Sequence, residues 1–487
     1  MTDLLEHAIA AHRAGQLAEA QKLYIVVLKE QPDRADARHN LGVIYGQQGR
    51  LAEAVREFAA ATEAKPDFGE AWLMLSECAG RLGQHELGLK ASAEAARLLP
   101  TMARAWLRHG LALNQMMRDE EAADAYRRAV EIEPSLTAAW INLCVSLKLI
   151  GQPDDAEAAI REAIARTDTN LDTDDKAEDA YNLLHWHLAL LELATGDWTN
   201  GFAHFRARFK GGTNWKRFDG AKPLWRGESL EGKTLLITAE QGHGDLLMMA
   251  RYLPELKRRG ATIIFQTHPA LTRYFSGWSG ADEMISTDTA LDKLSYDFHA
   301  PIFDLPYRFA TTPDSIPAAI PYLPMLEPDE ATRLPQTEGR RVGIIWAGQP
   351  HNPRDTMRSV PATAFAALFS APGCRFFNLT RETTDDDRAL LARHGVTDLS
   401  PVIHDFADVA RILGQLDLLV TCDTAAAHLA GGMGKMTYVL LPFAPDWRWG
   451  FRREDCPWYP TMRLFRQQRR GAWGDVLAKV ESVMKTS

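Results

Sequence analysis

The most regular feature of the sequence is a 34-residue period in its small, bulky and proline positions. Small side chains let two helices approach closely, and proline ends a helix because it lacks an N–H donor. The pattern therefore predicts a stack of helical hairpins. The recurring residues are Ala20, Ala54, Gly88, Ala122 and Ala156 at the small position, Trp72, Trp106 and Trp140 at the bulky position, and Pro32, Pro66, Pro100 and Pro134 at the helix end.

A period of this length with these positions is that of the tetratricopeptide repeat. Five repeats can be followed, and Gly196–Gly201 predicts a sixth, degenerate repeat with Phe205 in its aromatic position. The first predicted domain is therefore an α-solenoid over residues 1–215. Solenoids of this kind offer an extended concave binding surface, so the repeats predict a protein partner.

Two asparagines, Asn40 and Asn142, occupy the same position of their repeats. An amide side chain donates and accepts hydrogen bonds at once, which suits a peptide backbone. The arrangement resembles the asparagine ladder by which O-GlcNAc transferase holds peptide backbone. The resemblance implies that both side chains bind a protein acceptor.

From Lys233 onwards, the pattern changes to short apolar runs separated by helix-like stretches. Thr234–Thr238 and Ala261–Thr267 are predicted to be strands, with a glycine turn and a helix between them. Strand, turn, helix and strand in this order form a βαβ unit, whose strands are parallel. The proline-rich segment 310–336 follows and is predicted to be an extended linker.

The same alternation of strand and helix restarts after this linker. Two such α/β units in tandem predict the GT-B architecture, in which two Rossmann-like domains bind ligands beyond the carboxyl ends of their strands. We assign these domains to residues 216–335 and 336–487. The predicted elements of the second unit are strands Arg341–Trp346, Arg375–Leu379, Asp417–Thr421 and Thr437–Leu441, and helices Ala362–Phe369, Phe406–Leu413 and Ala425–Gly432.

Charge and composition narrow the choice of partners. The formal net charge is -9, which argues against general nucleic-acid binding. No apolar run approaches the roughly 18 residues that a transmembrane helix needs, and acidic residues stand where a signal peptide is basic. We therefore expect a cytoplasmic protein without a transmembrane segment. Four arginines near the end, Arg463, Arg466, Arg469 and Arg470, are expected on a solvated surface or an anion-facing edge.

One acidic cluster and one pair of histidines could be mistaken for metal sites. Asp385, Asp386 and Asp387 follow a threonine pair and lead into a helix-like stretch, so they are predicted to begin a helix, whose positive end favours acids. His185 and His187 alternate along a helix-like stretch and point to different faces. We predict no metal site and no cofactor.

One candidate motif is Asp423-Thr424-Ala425-Ala426-Ala427-His428, where a buried strand gives way to a helix. A helix start has unpaired N–H groups and a partial positive charge, so it can hold a diphosphate. Asp423 could accept sugar hydroxyls, and His428 could donate to a phosphate oxygen. The alternative is that Asp423 only caps the helix and His428 is a core histidine.

A second motif is Glu240-Gln241-Gly242-His243-Gly244-Asp245 at the end of the first predicted strand. Two glycines let the backbone turn sharply and approach a ligand closely. Asp245 is then a candidate general base, a role worth roughly a hundredfold to ten-thousandfold in rate. His243 is the alternative base, and Asp245 could also cap the helix that follows.

These motifs, together with three others, resemble bacterial glycosyltransferases fused to tetratricopeptide repeats. The catalytic half is similar to the ADP-heptose lipopolysaccharide heptosyltransferases of glycosyltransferase family nine. This similarity covers roughly residues 230–487. The three further motifs are Trp346-Ala347-Gly348, Arg358-Ser359 and Pro445-Asp446-Trp447-Arg448-Trp449, whose tryptophans either stack on a nucleobase or, as we favour, pack the domain.

The resemblance implies roles for particular residues. Asp245 is implied to be the base, and Arg358 or Arg354 is implied to neutralise phosphate. The donor-binding residues implied by the resemblance are Asp423, Thr424, Ala425 and His428. A nucleotide sugar is implied as the co-substrate, and no metal is implied.

We therefore expect an inverting, metal-independent glycosyltransferase that moves a sugar from a nucleotide sugar to a protein selected by the repeats. The resemblance implies a flagellin Ser or Thr, or another surface protein, as the acceptor. Two alternatives remain at this point. One is a transferase acting on lipopolysaccharide or a lipid-linked glycan, and the other is a non-catalytic scaffold of the same fold.

Overall fold

The computed structural model describes residues 2–167, 175–209, 218, 220, 222–317, 320–348 and 355–486. Two compact units divide the chain, Met1–His187 and Leu188–Ser487. We call them the repeat unit and the α/β unit. The division lies earlier than the domain boundary predicted at residue 215.

The repeat unit consists of antiparallel helical hairpins. Small residues at the hairpin contacts allow close approach: a Cβ placed on Gly110 would lie 2.4 Å from the ring of Tyr126. Gly42 meets Phe58 in the same way. The helices are α1 (Thr2–Arg13), α2 (Leu17–Glu30), α3 (Ala35–Gln47), α4 (Leu51–Ala64), α5 (Gly69–Arg81), α6 (His85–Leu98), α7 (Ala103–Gln115), α8 (Asp119–Ile132), α9 (Thr137–Leu149) and α10 (Pro153–Thr167).

The turn inside each hairpin requires a left-handed residue, and glycine supplies it in most repeats. Gly15, Gly49, Gly83 and Gly151 have φ between 74° and 79°. The fourth hairpin, α7 with α8, has Met117 at the equivalent position, with φ 58°. A left-handed conformation is strained for a residue with a Cβ, and this side chain is 67% exposed.

The tryptophans of the repeats have a second role besides filling space. The indole N–H of Trp72 donates to the carbonyl of Pro66 at 2.9 Å, and the same bond joins the later members of the period. These are Trp106 to Pro100 at 3.0 Å and Trp140 to Pro134 at 2.9 Å. Each indole therefore fastens its helix to the turn that precedes it, which accounts for the joint recurrence of tryptophan and proline.

The α/β unit contains two parallel sheets. The first has the order β3-β2-β1-β4 and is formed by β1 (Thr234–Thr238), β2 (Thr262–Thr267), β3 (Glu283–Ser286) and β4 (Phe298–Pro301). All three of its strand pairs are parallel. The helices of this part are α12 (Trp198–His204), α13 (His243–Met249), α14 (Leu253–Arg258), α15 (Pro269–Phe275) and α16 (Leu305–Arg308), and α11 (Asp175–Thr195) contains the boundary between the two units.

The second sheet has the order β10-β9-β8-β5-β6-β7, and its pairs are also parallel. Its strands are β5 (Arg340–Ile345), β6 (Cys374–Asn378), β7 (Thr397–Asp398), β8 (Leu418–Cys422), β9 (Thr437–Leu441) and β10 (Met462–Arg466). Its helices are α17 (Asp355–Arg358), α18 (Asp385–Arg393), α19 (Phe406–Gly414), α20 (Ala425–Gly432) and α21 (Trp473–Thr486), and Ala362–Ser370 is a 3-10 helix. The central strands are buried on both faces, as expected when helices cover a parallel sheet.

The predicted order, helical repeats followed by a parallel α/β region, is confirmed. The prediction for Asp385–Asp387 also holds, because Thr384 caps α18 and Asp387 completes a capping box. The expectation for Arg466 was wrong: its side chain is half-buried and donates to the carbonyls of Phe451 and Gly450, at 2.6 and 2.8 Å. This arginine supports a loop instead of facing solvent or an anion.

The proline-rich linker is irregular, as predicted, but part of it is anchored. The backbone N–H groups of Tyr322 and Leu323 donate to the carbonyl of Gly432 at 3.0 and 3.1 Å. Both side chains are buried. The linker therefore packs on the end of α20.

Helix α12 and the turn after it pack within the α/β unit. Trp198 stacks on Trp458 with ring centroids 4.6 Å apart, and Phe205 stacks on Phe303 at 5.3 Å. Phe205, predicted to fill the aromatic position of a sixth repeat, therefore packs within the α/β unit. Among the helices in the described ranges, none combines the length and the apolar character needed to cross a bilayer.

Candidate functional site

The two motifs singled out in the sequence come together between the two sheets of the α/β unit. Helix α13 begins after β1, and α20 begins after β8, each at the carboxyl end of a parallel strand. A Cβ placed on Gly244 would lie 2.7 Å from Cδ2 of His428 and 3.3 Å from Cα of Ala425. Glycine at this position thus permits the first turns of the two helices to touch.

Asp245 lies in this contact with both carboxylate oxygens engaged. Oδ2 accepts from the backbone N–H of Gly242 at 2.8 Å, and Oδ1 accepts from Nη2 of Arg448. The side chain is 17% exposed. Burial raises the pKa of the Asp245 carboxyl, against the opposing attraction of Arg448. Asp245 is thus both a helix cap, as the sequence allowed, and one half of an ion pair between the sheets.

The residues around Asp245 are held by a buried charge cluster and a strained backbone. Glu240 pairs with the fully buried Arg208 through two bonds of 2.9 Å, and Arg208 also donates to Asp304 at 2.8 Å. The next residue, Gln241, has a backbone φ of 60°, a left-handed value that residues other than glycine rarely adopt. Strain of this kind collects at functional sites.

His243, the alternative base, packs against aromatic rings. Its ring centroid lies 5.0 Å from that of His268 and 5.2 Å from that of Phe406. Burial lowers the pKa of His243, and His268 lowers it further. The imidazole is therefore neutral at pH 7 and remains chemically able to accept a proton.

Asp423 stands at the end of β8, beside the N-terminus of α20. Burial and the nearby Asp446 carboxylate raise the pKa of Asp423 to about 6, whereas Arg358 acts to lower it. Thr424 is the N-cap residue, but its side chain makes no capping bond and instead pairs with the hydroxyl of Thr421 at 3.2 Å. The first turn of α20, beginning with the half-buried Ala425, is thus left without a side-chain cap.

His428 is buried and held from two sides. Its Nδ1 lies 3.0 Å from the hydroxyl of Tyr459, and its ring stacks on Trp449 with centroids 5.0 Å apart. Burial, together with the positive charge of Arg448, lowers the pKa of His428 to about 3. The ring is neutral at physiological pH, so it can donate one hydrogen bond but carries no charge to offer a phosphate.

Of the two arginines that the resemblance implies as phosphate-neutralising residues, the structure describes Arg358. Arg358 ends α17, is half-buried and acts electrostatically on both Asp423 and His428. Arg354, the other candidate, lies outside the described residues. Arg358 is therefore near the helix start that was predicted to hold a diphosphate.

Arg448 is the residue that sequence reasoning missed. Its side chain is 10% exposed and donates to Asp446 at 2.5 Å, to Gln241 at 3.3 Å and to Asp245. Its guanidinium also lies over the ring of Trp447, 4.6 Å from the centroid. The only signal in the sequence was the Trp-Arg-Trp run, in which the tryptophans drew attention.

Trp447 and Trp449 are both packed, as we favoured. Trp447 is 5% and Trp449 2% exposed. Trp447 contacts Phe202, Phe205 and Trp458 edge-on. Within the described ranges, no group of three or more His, Cys, Asp or Glu side chains is arranged to hold a metal ion.

The two asparagines proposed to bind an acceptor lie in the repeat unit and differ in their local bonding. The Asn142 amide donates to the carbonyl of Ala138 in its own helix at 2.7 Å. Asn40 is half-buried and lies beside Tyr24, where burial raises the pKa of the tyrosine hydroxyl and a hydrogen bond from Asn40 opposes that rise. A third asparagine, Asn114, bonds Tyr126 and Ser146 at 3.1 and 3.2 Å and was not singled out.

Comparison with a curated protein gives one relative. Protein FlbA of Caulobacter vibrioides (strain ATCC 19089 / CIP 103742 / CB 15) is 25% identical over 338 residues, which are 62% of this chain and 55% of FlbA. The chain therefore spans about half the length of this relative.

Solved structures similar to the chain cover about a third of it. MamA from Desulfovibrio magneticus RS-1 is 16% identical, covers 35% of the chain and 96% of its own, and has a TM-score of 0.33. YrrB, described as a TPR protein with an unusual peptide-binding site, is 22% identical, covers 35% of the chain and 86% of its own, and has a TM-score of 0.32.

Family models identify the repeats. One tetratricopeptide-repeat model matches residues 11–78, and a second tetratricopeptide-repeat model matches residues 103–136. The chain therefore contains tetratricopeptide repeats, as its 34-residue period predicted.

Proposed function

We propose that this chain is a glycosyltransferase of GT-B type that moves a sugar from a nucleotide sugar to a protein bound by its repeats. The observation that carries the proposal is the meeting of Asp245, at the end of β1, with the start of α20, at the end of β8. Ligands of open parallel sheets bind beyond the carboxyl ends of the strands. A carboxylate and an uncapped helix start therefore face the same region from two sheets.

On the donor side, the first turn of α20 would receive the diphosphate. Its N–H groups and the helix dipole favour an anion, and Arg358 adds positive charge nearby. Asp423 would accept hydrogen bonds from sugar hydroxyls, and the neutral His428 would donate one bond to a phosphate oxygen. Thr424 and Ala425 would contribute backbone N–H groups.

In the proposed reaction, Asp245 accepts the proton of the acceptor hydroxyl. The hydroxyl oxygen forms a bond to the anomeric carbon as the bond from that carbon to the diphosphate oxygen breaks. The nucleoside diphosphate leaves with both bonding electrons. A single base carboxylate and direct displacement give inversion at the anomeric carbon. Arginine charges serve the leaving group, so we propose a reaction without a metal or another cofactor.

The acceptor side of the proposal rests on the repeats. Tetratricopeptide arrays suit extended peptides, so we propose a protein acceptor, with a flagellin Ser or Thr as the leading candidate and Asn40 and Asn142 as contacts to its backbone. The reaction is proposed to occur in the cytoplasm, before the acceptor is exported.

The proposal is tested by replacing Asp245 with alanine in the full-length chain. Intact-mass spectrometry of surface proteins, from cells with and without the gene, first identifies the acceptor and the sugar. Asp245→Ala is then expected to lower transfer at least a hundredfold, because it removes the carboxylate that we propose as the base. Calorimetry should show that the variant still binds the nucleotide sugar.

The controls separate the competing functions. Asp385→Asn changes an exposed acid in α18 and should leave transfer intact. Undiminished transfer by Asp245→Ala would remove this residue from the base role. A mass change on a glycan and not on any protein would show that the acceptor was wrong, and absence of nucleotide-sugar binding by the wild-type chain would leave a scaffold of the same fold.

A further inference from the structure

The pairing of Arg448 with Asp245 places a cation on the proposed base. Both residues lie in the α/β unit, and the pair connects the loop after β9 with the first turn of α13. The backbone N–H of Gly242 donates to the other oxygen of Asp245, so both carboxylate oxygens already accept a hydrogen bond. A carboxylate held by a guanidinium is a weaker base than a free one, because the positive charge favours its ionised form.

Arg448 also has a donor without an acceptor. Its Nε is buried and has no hydrogen-bond partner among the residues that the structure describes. The amide nitrogen of Gln241, whose oxygen accepts from the same guanidinium, is buried and unpartnered in the same sense. A buried donor without an acceptor is costly, so these two nitrogens, on side chains that are hydrogen-bonded to each other, point to a ligand that is rich in acceptor oxygens.

We propose that Arg448 exchanges partners when the donor binds. In the free chain it pairs with Asp245, and in the complex it pairs with the diphosphate, with Nε and Gln241 adding hydrogen bonds to phosphate oxygens. Asp446 holds the other end of the guanidinium in both states. Asp245 is released as a base only after the donor has arrived. This inference rests on the proposed function and adds an order of events to it.

A planar guanidinium suits this exchange. It forms paired bonds with either carboxylate or phosphate, so the same face can move from one to the other without loss of geometry. The pairing with Asp446 through Nη1 leaves Nη2 and Nε as the two donors of one edge. In the free chain only Nη2 of this edge donates to Asp245, whereas a diphosphate can accept from both Nη2 and Nε.

The exchange is tested by a double-variant cycle on the binding of inorganic pyrophosphate, measured by calorimetry with the full-length chain. Asp245→Asn removes the competing charge, so it should tighten pyrophosphate binding about tenfold. Arg448→Gln should weaken binding at least tenfold. In the Arg448→Gln background, the further change Asp245→Asn should alter the dissociation constant less than twofold.

The sign of the first effect and its loss in the double variant are both needed. A neutral or weakened Asp245→Asn variant would overturn the exchange. Equal tightening in the presence and absence of Arg448 would also overturn it, since that result reflects only the removal of a negative charge. A wild-type chain that binds neither pyrophosphate nor any nucleoside diphosphate would instead refute the proposed function itself.

Asparagine at position 245 keeps an oxygen that can accept from the Gly242 N–H, so we expect the Asp245→Asn variant to fold. Circular dichroism of each variant verifies that the helices are intact. If Arg448→Gln does not fold, Arg448→Lys gives a second cycle: lysine keeps the charge but lacks Nε in the fork, so it should bind pyrophosphate more weakly than arginine and still show the tightening by Asp245→Asn. No tightening in that background would overturn the exchange.

Discussion

The repeat unit and the α/β unit differ in where they put their charges. Many ion pairs of the repeats lie largely in solvent, as in Arg118 with Glu121, whose side chains are 47% and 56% exposed. In the α/β unit, Arg208 is fully buried and its partner Glu240 is 8% exposed. Exposed pairs contribute little to stability, whereas buried ones carry a desolvation cost and depend on every partner.

This contrast separates structural demands from functional ones. In the repeats the same packing contacts recur along the chain, with a left-handed glycine in most hairpin turns and an indole bond between several consecutive hairpins. The α/β unit collects its unusual features in one place: the left-handed Gln241, the cation Arg448 on a carboxylate, and Asp423 with a raised pKa. Perturbed groups of this kind cluster at functional sites, which favours a reaction centre in the α/β unit.

The largest expected effect on stability comes from closing the gap at Gly244. Gly244→Ala puts a methyl group against the His428 ring, which Tyr459 and Trp449 hold in place. Overpacking of this type costs about 1–3 kcal/mol in the free energy of unfolding. Denaturant unfolding of the full-length chain measures the loss.

Alanine substitutions at two other glycines serve as controls for Gly244→Ala. Gly110→Ala meets Tyr126 in the repeat unit and should cost a similar amount, without an effect on nucleotide-sugar binding. Gly474→Ala, in α21, meets nothing within 4 Å and should be neutral or slightly stabilising. An unchanged Gly244→Ala variant would show that the two helix starts are less closely packed than described.

A smaller effect, of opposite sign, is expected in the repeats. Met117→Gly relieves a left-handed conformation, so the free energy of unfolding should rise by about 0.5–1 kcal/mol. Thermal and denaturant unfolding can resolve this gain. Gly83→Ala, at the equivalent turn with φ 75°, is the matched change in reverse and should destabilise the chain. A loss of stability in Met117→Gly would mean that the methionine makes a contact worth more than the strain.

The smallest effect depends on pH. Because the pKa of Asp423 is raised to about 6 in the folded chain, this residue favours folding when protonated, and that contribution is lost as the pH rises through 6. Asp423→Asn should therefore raise the melting temperature by roughly 2 °C at pH 7.5 and leave it nearly unchanged near pH 4. The same variant should bind the nucleotide sugar more weakly.

Asp385→Asn is the control for this pH effect, because the side chain of Asp385 is 98% exposed. It should show no difference between the two pH values. A parallel shift of the Asp423→Asn variant at both pH values would contradict the assignment of the raised pKa.

The sequence was informative wherever the interaction was local or periodic. The repeats follow from residues 34 positions apart, and strands such as Thr234–Thr238 and Thr437–Leu441 match the structure because apolar runs of this length fit buried parallel strands. Strand Met462–Arg466 was missed, because its arginines gave it the look of a surface segment. Arg466 is half-buried and donates to four loop carbonyls, a pairing that no periodicity reveals.

The candidate site was located from its two motifs, but its central contact was not. Asp245 and Arg448 are 203 positions apart in the chain, and nothing in the composition of either segment indicates that they pair. Nothing in the sequence indicates that Gly244 contacts His428 either. Contacts between distant segments depend on how two sheets pack, which a motif does not encode.

The indole bonds to proline carbonyls have a mechanical consequence for the repeats. Each such bond spans a joint between consecutive hairpins, as Trp106 does with Pro100, so the joints that carry a tryptophan resist bending by the same local means. A substitution at one tryptophan would loosen one joint and leave the others stiff. An array built in this way can be tuned for curvature one segment at a time, and a long acceptor would feel that change only where it crosses the altered joint.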